Sequence, residues 1–196
     1  MLRRTLIITA ISLSLYAGQV FSFSVDEAAD GDLSGAGPAP TLLHLELGAN
    51  TLSGSAGGND YDIFFFSIQP NTVLGSITVN SYQPGSGISF LGMQTGTQWT
   101  AGLGSGISGN ALTGWTLFGA NNIGEDLLPS MANAVQGASG FNPPLGAGDY
   151  VFLIQDTGSA INYGLTFTAT PVPLPAALPL LALSLVGLSR VKCRRD

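Results

Sequence analysis

The chain has 196 residues, a hydrophobic content of 45% and a formal net charge of −6, and all six of its basic residues lie at its ends: Arg3 and Arg4, then Arg190, Lys192, Arg194 and Arg195. Affinity for nucleic acid rests mostly on Lys and Arg neutralising phosphates, so a middle without either residue excludes that class of partner. The single cysteine, Cys193, excludes an intrachain disulfide and the Cys-rich kinds of zinc site.

In chain order, Arg3 and Arg4 precede an apolar run, Thr5–Ala17, and then small and polar residues to Ser24. A charged, an apolar and a cleavage region in that order make a secretory signal peptide. It is assigned to residues 1–22, with Ala17 and Ser24 as alternative cleavage points. The apolar run is short for a permanent span, so the chain is expected to meet the export machinery and leave the cytoplasm. Residues 23–171 then form one extracellular domain, large enough to bury its own core. Eleven of the twelve acidic residues fall in it, beside one histidine, His44. Without Lys or Arg it must fold on apolar burial and backbone hydrogen bonds.

Within this body the glycine content forbids long helices and favours turns. Thr41–Leu47 alternates, with Leu43, Leu45 and Leu47 opposite His44 and Glu46, as a half-buried strand does. Asp62–Ile68 is apolar on both faces and reads as a central strand. Leu74–Tyr82 sets Leu74, Ser76 and Thr78 against Gly75, Ile77 and Val79. Weaker strand signals cover Ile88–Met93 and Gly114–Phe118, and a short helix is expected near Leu127 within Asp126–Val135. Tyr150–Gln155 and Tyr163–Ala169 are expected to close the domain as a hairpin across Asp156–Asn162. The fold class implied is all-β: an antiparallel, jelly-roll-like β-sandwich, flanked by an N-terminal signal helix and a C-terminal transmembrane helix.

Residues 172–196 have three parts. Val172, Pro173, Leu174, Pro175 and Ala176 come first, then the apolar run Ala177–Ser189, then a tail carrying Arg190, Lys192, Arg194 and Arg195. At about 1.5 Å per residue, Val172–Ser189 would reach roughly 27 Å as a helix, a marginal span of a hydrocarbon core about 30 Å thick. The basic tail stands where cytoplasmic charge belongs, so the exported body is expected to be tethered by this end, transiently or permanently. Proline fixes φ and disfavours helix before it, which leaves the Pro-x-Pro leader extended and readable by a protease.

This tail resembles the PEP-CTERM sorting signal in its VPLPA variant, with Leu174 where the usual form has Glu. The resemblance implies a Gram-negative host, recognition by an exosortase, delivery to the cell surface or extracellular matrix, and a link to exopolysaccharide and biofilm. The Leu-Pro-x-Thr-Gly of a sortase signal is not met by Leu174–Leu178. A plain tail anchor remains the alternative. Within the body, Asn59–Ile68, Gly148–Ile154 and Tyr163–Phe167 are similar to the bacterial pre-peptidase C-terminal domain, a non-catalytic β-sandwich for which the resemblance implies substrate or calcium binding. Together with Asp26–Gly35 the same stretches also look like bodies found ahead of PEP-CTERM tails.

Catalytic chemistry finds few candidates. A hydrolase needs a nucleophile, a base and an oxyanion site, but His44 is a lone histidine on a polar strand face and no Gly-x-Ser-x-Gly occurs. Asp60 and Asp62 could serve a glycosidase, yet a rim or a cation is the commoner use of such a pair. The expectation is therefore a non-enzymatic structural or adhesive protein. Calcium is the first ligand to consider, because hard cations take carboxylate and carbonyl oxygens. Asp26, Asp30 and Asp32, with Glu27 in the same run, and Asp60 with Asp62 can supply them. The other reading makes Asp30-Gly31 and Asn59-Asp60 plain solvated turns. A glycan platform on Trp99, Trp115, Tyr82 or Phe141 is the second possibility, with core packing as its competitor.

Overall fold

The computed structural model describes residues 22–84, 87–156, 158 and 160–172. The signal segment, the sorting motif from Pro173 to Ala176, the apolar run and the basic tail lie outside the described residues. Among the described residues no helix is long and apolar enough to cross a membrane.

The body is all-β, built on β1 (Ser24–Asp26), β2 (Thr41–Leu42), β3 (Gly48–Ala56), β4 (Tyr61–Ile68), β5 (Thr72–Gln83), β6 (Ile88–Thr95), β7 (Gly114–Gly119), β8 (Gly148–Gln155) and β9 (Ile161–Pro171). Two one-turn helices, α1 (Glu27–Asp30) and α2 (Leu128–Met131), punctuate it. The strands form a four-stranded sheet, β1-β3-β9-β5, and a five-stranded sheet, β2-β4-β8-β6-β7. Pairing is antiparallel except at one edge of each sheet, where β1 runs parallel to β3 and β2 parallel to β4. Both sheets are thus mixed, a departure from the expected antiparallel arrangement. The parallel edges come from the N-terminal chain, which reaches its partners through long connections and not through hairpins.

The sheets face each other across an apolar core. Phe64 and Phe66 of β4 and Phe152 of β8 meet Phe167 of β9 edge-on, with centroids 5.7, 5.6 and 5.9 Å away. Leu52, Leu74, Ile77, Val79 and Leu165 complete the four-stranded side. Each such side chain contributes about 1.5–3 kcal/mol on burial. The outer face of the five-stranded sheet carries a second, smaller core. There Ile63, Val151 and Leu153 are roofed by Trp99, Ala101 and Leu112 from the long connection between β6 and β7.

Several elements differ from expectation for identifiable reasons. The strand anticipated over Thr41–Leu47 stops at Leu42. The buried Asn50 amide accepts from Glu46 N (3.1 Å) and donates to Glu46 O (2.8 Å), turning the chain into β3 before it can extend further. In β5 the alternation does not run straight through: a bulge between Leu74 and Ser76 brings Leu74, Ile77 and Val79 to one buried face. A second bulge, between Val79 and Ser81, does the same for Tyr82. β8 and β9 are not a hairpin, because they belong to different sheets. Their link is pinned by Asp156, which accepts from Ser89 Oγ (3.0 Å) and Gly158 N (2.6 Å). β3 was not anticipated at all.

Candidate metal centre

Where the edge of the four-stranded sheet meets the open end of the core, three carboxylates converge. Their construction starts in the run Asp26–Asp32. Asp26 caps α1, its Oδ1 accepting from Ala28 N at 3.1 Å, and its own backbone N donates to Asp30 Oδ2 at 2.9 Å. Gly31 leaves the turn at φ 101°, a conformation that favours glycine, and its N–H returns to Glu27 O at 3.1 Å. This local geometry points Glu27 away from solvent and over β3. Two backbone donors fix its carboxylate there: Leu33 N on Oε1 at 3.0 Å and Ser55 N on Oε2 at 2.7 Å.

Asp62 arrives from the other sheet. It follows Tyr61 in β4 and shares the parity of Phe64, Phe66 and Ile68, so its side chain projects into the core and is fully buried. Among the described residues neither of its carboxylate oxygens has a hydrogen-bond partner, and neither does the buried Tyr163 hydroxyl. Ligand oxygens of Glu27, Asp32 and Asp62 all lie within 4.8 Å of one another. A cavity of about 450 Å³ opens beside them, bordered by Asp26, Glu27, Asp32, Gly54 and Tyr163. Gly54 keeps this space clear: a Cβ there would strike the Glu27 carboxylate and would stand 2.7 Å from the Tyr163 hydroxyl.

The electrostatics follow from this crowding. Burial first, and then the Glu27 charge, push the Asp62 carboxyl up to about 8. Burial likewise raises Glu27, against the pull of its two backbone donors. The Tyr163 hydroxyl is raised well above its ordinary range by burial and by Asp62. Such a group of acids has two stable states. Either Asp62 holds a proton, or a cation supplies the charge that lets it ionise.

The donor set fits a hard cation such as calcium: all its atoms are oxygens, one carboxylate is fully buried with both oxygens unpaired, and a space is kept free by glycine. Of the five aspartates considered from sequence, Asp32 and Asp62 belong to this group. Asp26 borders the cavity but serves as a helix cap, and Asp30 is tied to the Asp26 backbone. Asp60 lies outside the convergent set, in the turn that opens β4. Glu27, which the sequence places in the same acidic run, is the third member of the group. Its signal was the position immediately after a cap residue, where a first-turn acid can fold back on its own exit loop.

The remaining candidates are placed as follows. His44 is exposed beyond β2; Ser67, which borders the same groove, donates its hydroxyl to Asp149 Oδ1 at 2.5 Å. Trp99 and Tyr82 are buried, Trp99 giving its indole N–H to Gly102 O at 2.6 Å and Tyr82 meeting Ser89 Oγ at 2.8 Å. Phe141 packs half-buried on the main core. Trp115 is half-buried on the opposite side of the five-stranded sheet. Val172 is exposed and hydrogen-bonds Asn71 O at 2.8 Å.

No family model and no curated protein matches the chain. Among solved structures it is similar to PliG of Salmonella Typhimurium, a periplasmic inhibitor of g-type lysozyme, at 16% identity and a TM-score of 0.33, over 67% of this chain and 100% of that one. PliG of Aeromonas hydrophila is matched at 13% identity and a TM-score of 0.28, over 66% of this chain and 96% of that one.

Proposed function

We propose that this is an exported, non-catalytic β-sandwich protein of the cell surface or extracellular matrix, whose body is a calcium-binding module. Its C-terminal residues 172–196 serve as an exosortase sorting signal. In this reading residues 1–22 are removed on export and the body, residues 23–171, acts in an exopolysaccharide or biofilm context. The order β3-β9-β5 against β4-β8-β6-β7 supports the jelly-roll-like description, since successive strands alternate between the sheets from β3 to β6.

One observation carries the calcium assignment: Asp62 is fully buried with both oxygens unpaired, within ligand distance of Glu27 and Asp32. An uncompensated buried carboxylate costs several kcal/mol, and the body has no Lys or Arg to compensate it. Calcium should raise the melting temperature of the wild-type chain progressively with its concentration, the stabilisation reaching about 2.7 kcal/mol at one hundred times the dissociation constant. Asp62→Asn should abolish that response. A melting temperature indifferent to millimolar calcium would sink the assignment. The sorting signal is tested separately, by mass spectrometry of the C-terminus in cells with and without the exosortase. An intact Cys193 tail on the mature secreted protein would refute it.

A further inference from the structure

A second site lies on the far side of the five-stranded sheet, away from the carboxylates. The roof over its outer face is short and leaves a cleft of about 380 Å³ bordered by Phe90, Trp115, Ile107, Gln155, Gln136 and Ser105. That volume is within the range of small-ligand sites. Among the described residues no charged side chain borders it.

The cleft is built from rigid elements. Phe90 of β6 and Trp115 of β7 stack on each other with centroids 5.7 Å apart and planes 25° off parallel. Trp115 is tied down by its indole N–H on Val135 O at 3.3 Å. Beneath Phe90 lies Gly92, where a Cβ would come within 2.5 Å of the phenyl ring. At the other wall the Gln155 amide is 4% exposed and clasps the backbone of Gly104, accepting from its N at 2.9 Å and donating to its O at 3.2 Å. A primary amide has two donors and two acceptor lone pairs, and bonds to the described residues use half of that capacity.

We infer that this cleft binds a neutral carbohydrate. A sugar ring has an apolar C–H face for the aromatic pair and an equatorial rim of hydroxyls for amides, a serine and backbone groups, and these are the chemistries the cleft presents. Its lack of charge gives an ionic ligand nothing to pair with, and the acidic body repels polyanions over distance. The chain also carries its own internal control, because Trp99, its other tryptophan, is buried within that roof.

The test is a two-dimensional NMR titration of the full ¹⁵N-labelled chain, held in a non-glycosidic detergent, with cellohexaose, maltohexaose, chitohexaose and mannohexaose, and with polygalacturonate as the acidic counterpart. The expected result is a saturable shift of the Trp115 indole N–H peak with at least one neutral hexamer, while the Trp99 peak stays in place. Trp115→Ala should weaken that binding at least tenfold without changing the calcium response. If that variant fails to fold, the exposed Gln136→Ala should weaken it at least threefold at an unchanged melting temperature. No shift of Trp115 with any of the four hexamers overturns the proposal. So does undiminished binding by the folded variants, and so does tighter binding of polygalacturonate than of every neutral glycan.

Discussion

Raising the pH without calcium should destabilise this protein over a range where ordinary carboxylates have finished titrating. The group responsible is Asp62, whose folded-state value of about 8 stands far above the ordinary 3.8 of an unfolded chain. Between those values the folded state holds a proton that the unfolded state has released, so stability falls as pH rises. Proton linkage for one such group gives a loss of about 3 kcal/mol between pH 5.5 and pH 8. For a domain of this size that corresponds to roughly 6–12 °C in melting temperature. Burial raises Glu27 and Asp60 as well, which adds in the same direction at the lower end of the range. Thermal unfolding followed by circular dichroism in a chelator, at half-unit steps from pH 5 to pH 8.5, reads the slope directly. Asp62→Asn should flatten it, and saturating calcium should flatten it too, by replacing the proton with a cation. A flat wild-type profile in chelator, or an equally steep one in Asp62→Asn, would refute the reasoning.

Other consequences can be checked on single variants. Gly54→Ala drives a methyl group against the Glu27 carboxylate and the Tyr163 hydroxyl; isothermal titration should show calcium affinity at least tenfold weaker, and chelator-treated stability lower by about 1–3 kcal/mol. Glu27→Gln keeps the shape and removes one charge, but it retains only one of the two acceptors that Leu33 N and Ser55 N use, so calcium affinity should fall by a similar factor. Asn50→Ala strips the buried amide that accepts from Phe23 N and Glu46 N and donates to Phe167 O; urea unfolding should register a loss of about 3 kcal/mol. Phe152→Ala opens a cavity beside Phe64, Phe66 and Phe167 and should cost about 3–5 kcal/mol.

What the sequence disclosed depended on how much apolar side chain an element buries. β4, β6, β8 and β9 bury apolar runs, in part on both faces, and those runs locate them to within a few residues. β3 was invisible because its run of Gly, Asn, Thr and Ser contributes mostly backbone: it pairs with β9 across all nine positions, yet only Asn50, Leu52 and Ala56 are buried. The bulges of β5 were invisible for a different reason. A period-two reading has no means of registering one extra residue at Gly75 or Asn80. Sheet assignment is likewise a tertiary matter, so the two strands flanking Asp156–Asn162 looked like a hairpin although they lie in opposite layers. The candidate site was half legible. Glu27, Asp32 and Asp62 all stand among the acids the sequence offers, but pairing Asp62 with Glu27 requires knowing that β1 runs along β3 and brings α1 over the end of the core.

The parity of β4 also held a stronger clue than proximity in sequence. Asp62 lies two, four and six positions before Phe64, Phe66 and Ile68, so a strand that buries those three must bury a carboxylate with them. In most proteins an Arg or Lys would answer such a group, or the residue would not be there. This body has neither cation anywhere between its two ends, and among the described residues neither oxygen of Asp62 has a hydrogen-bond partner. Neutralisation then has to come from outside this body, as a proton or as a metal ion. With Glu27 anchored by two backbone donors and Asp32 completing the triangle, a divalent cation can be shared by all three acids and balance two of their three charges, whereas a proton balances only one. The absence of basic residues from the body, which in the sequence looks like a statement about topology alone, is on this argument also the reason that burying Asp62 calls for a proton or a metal ion.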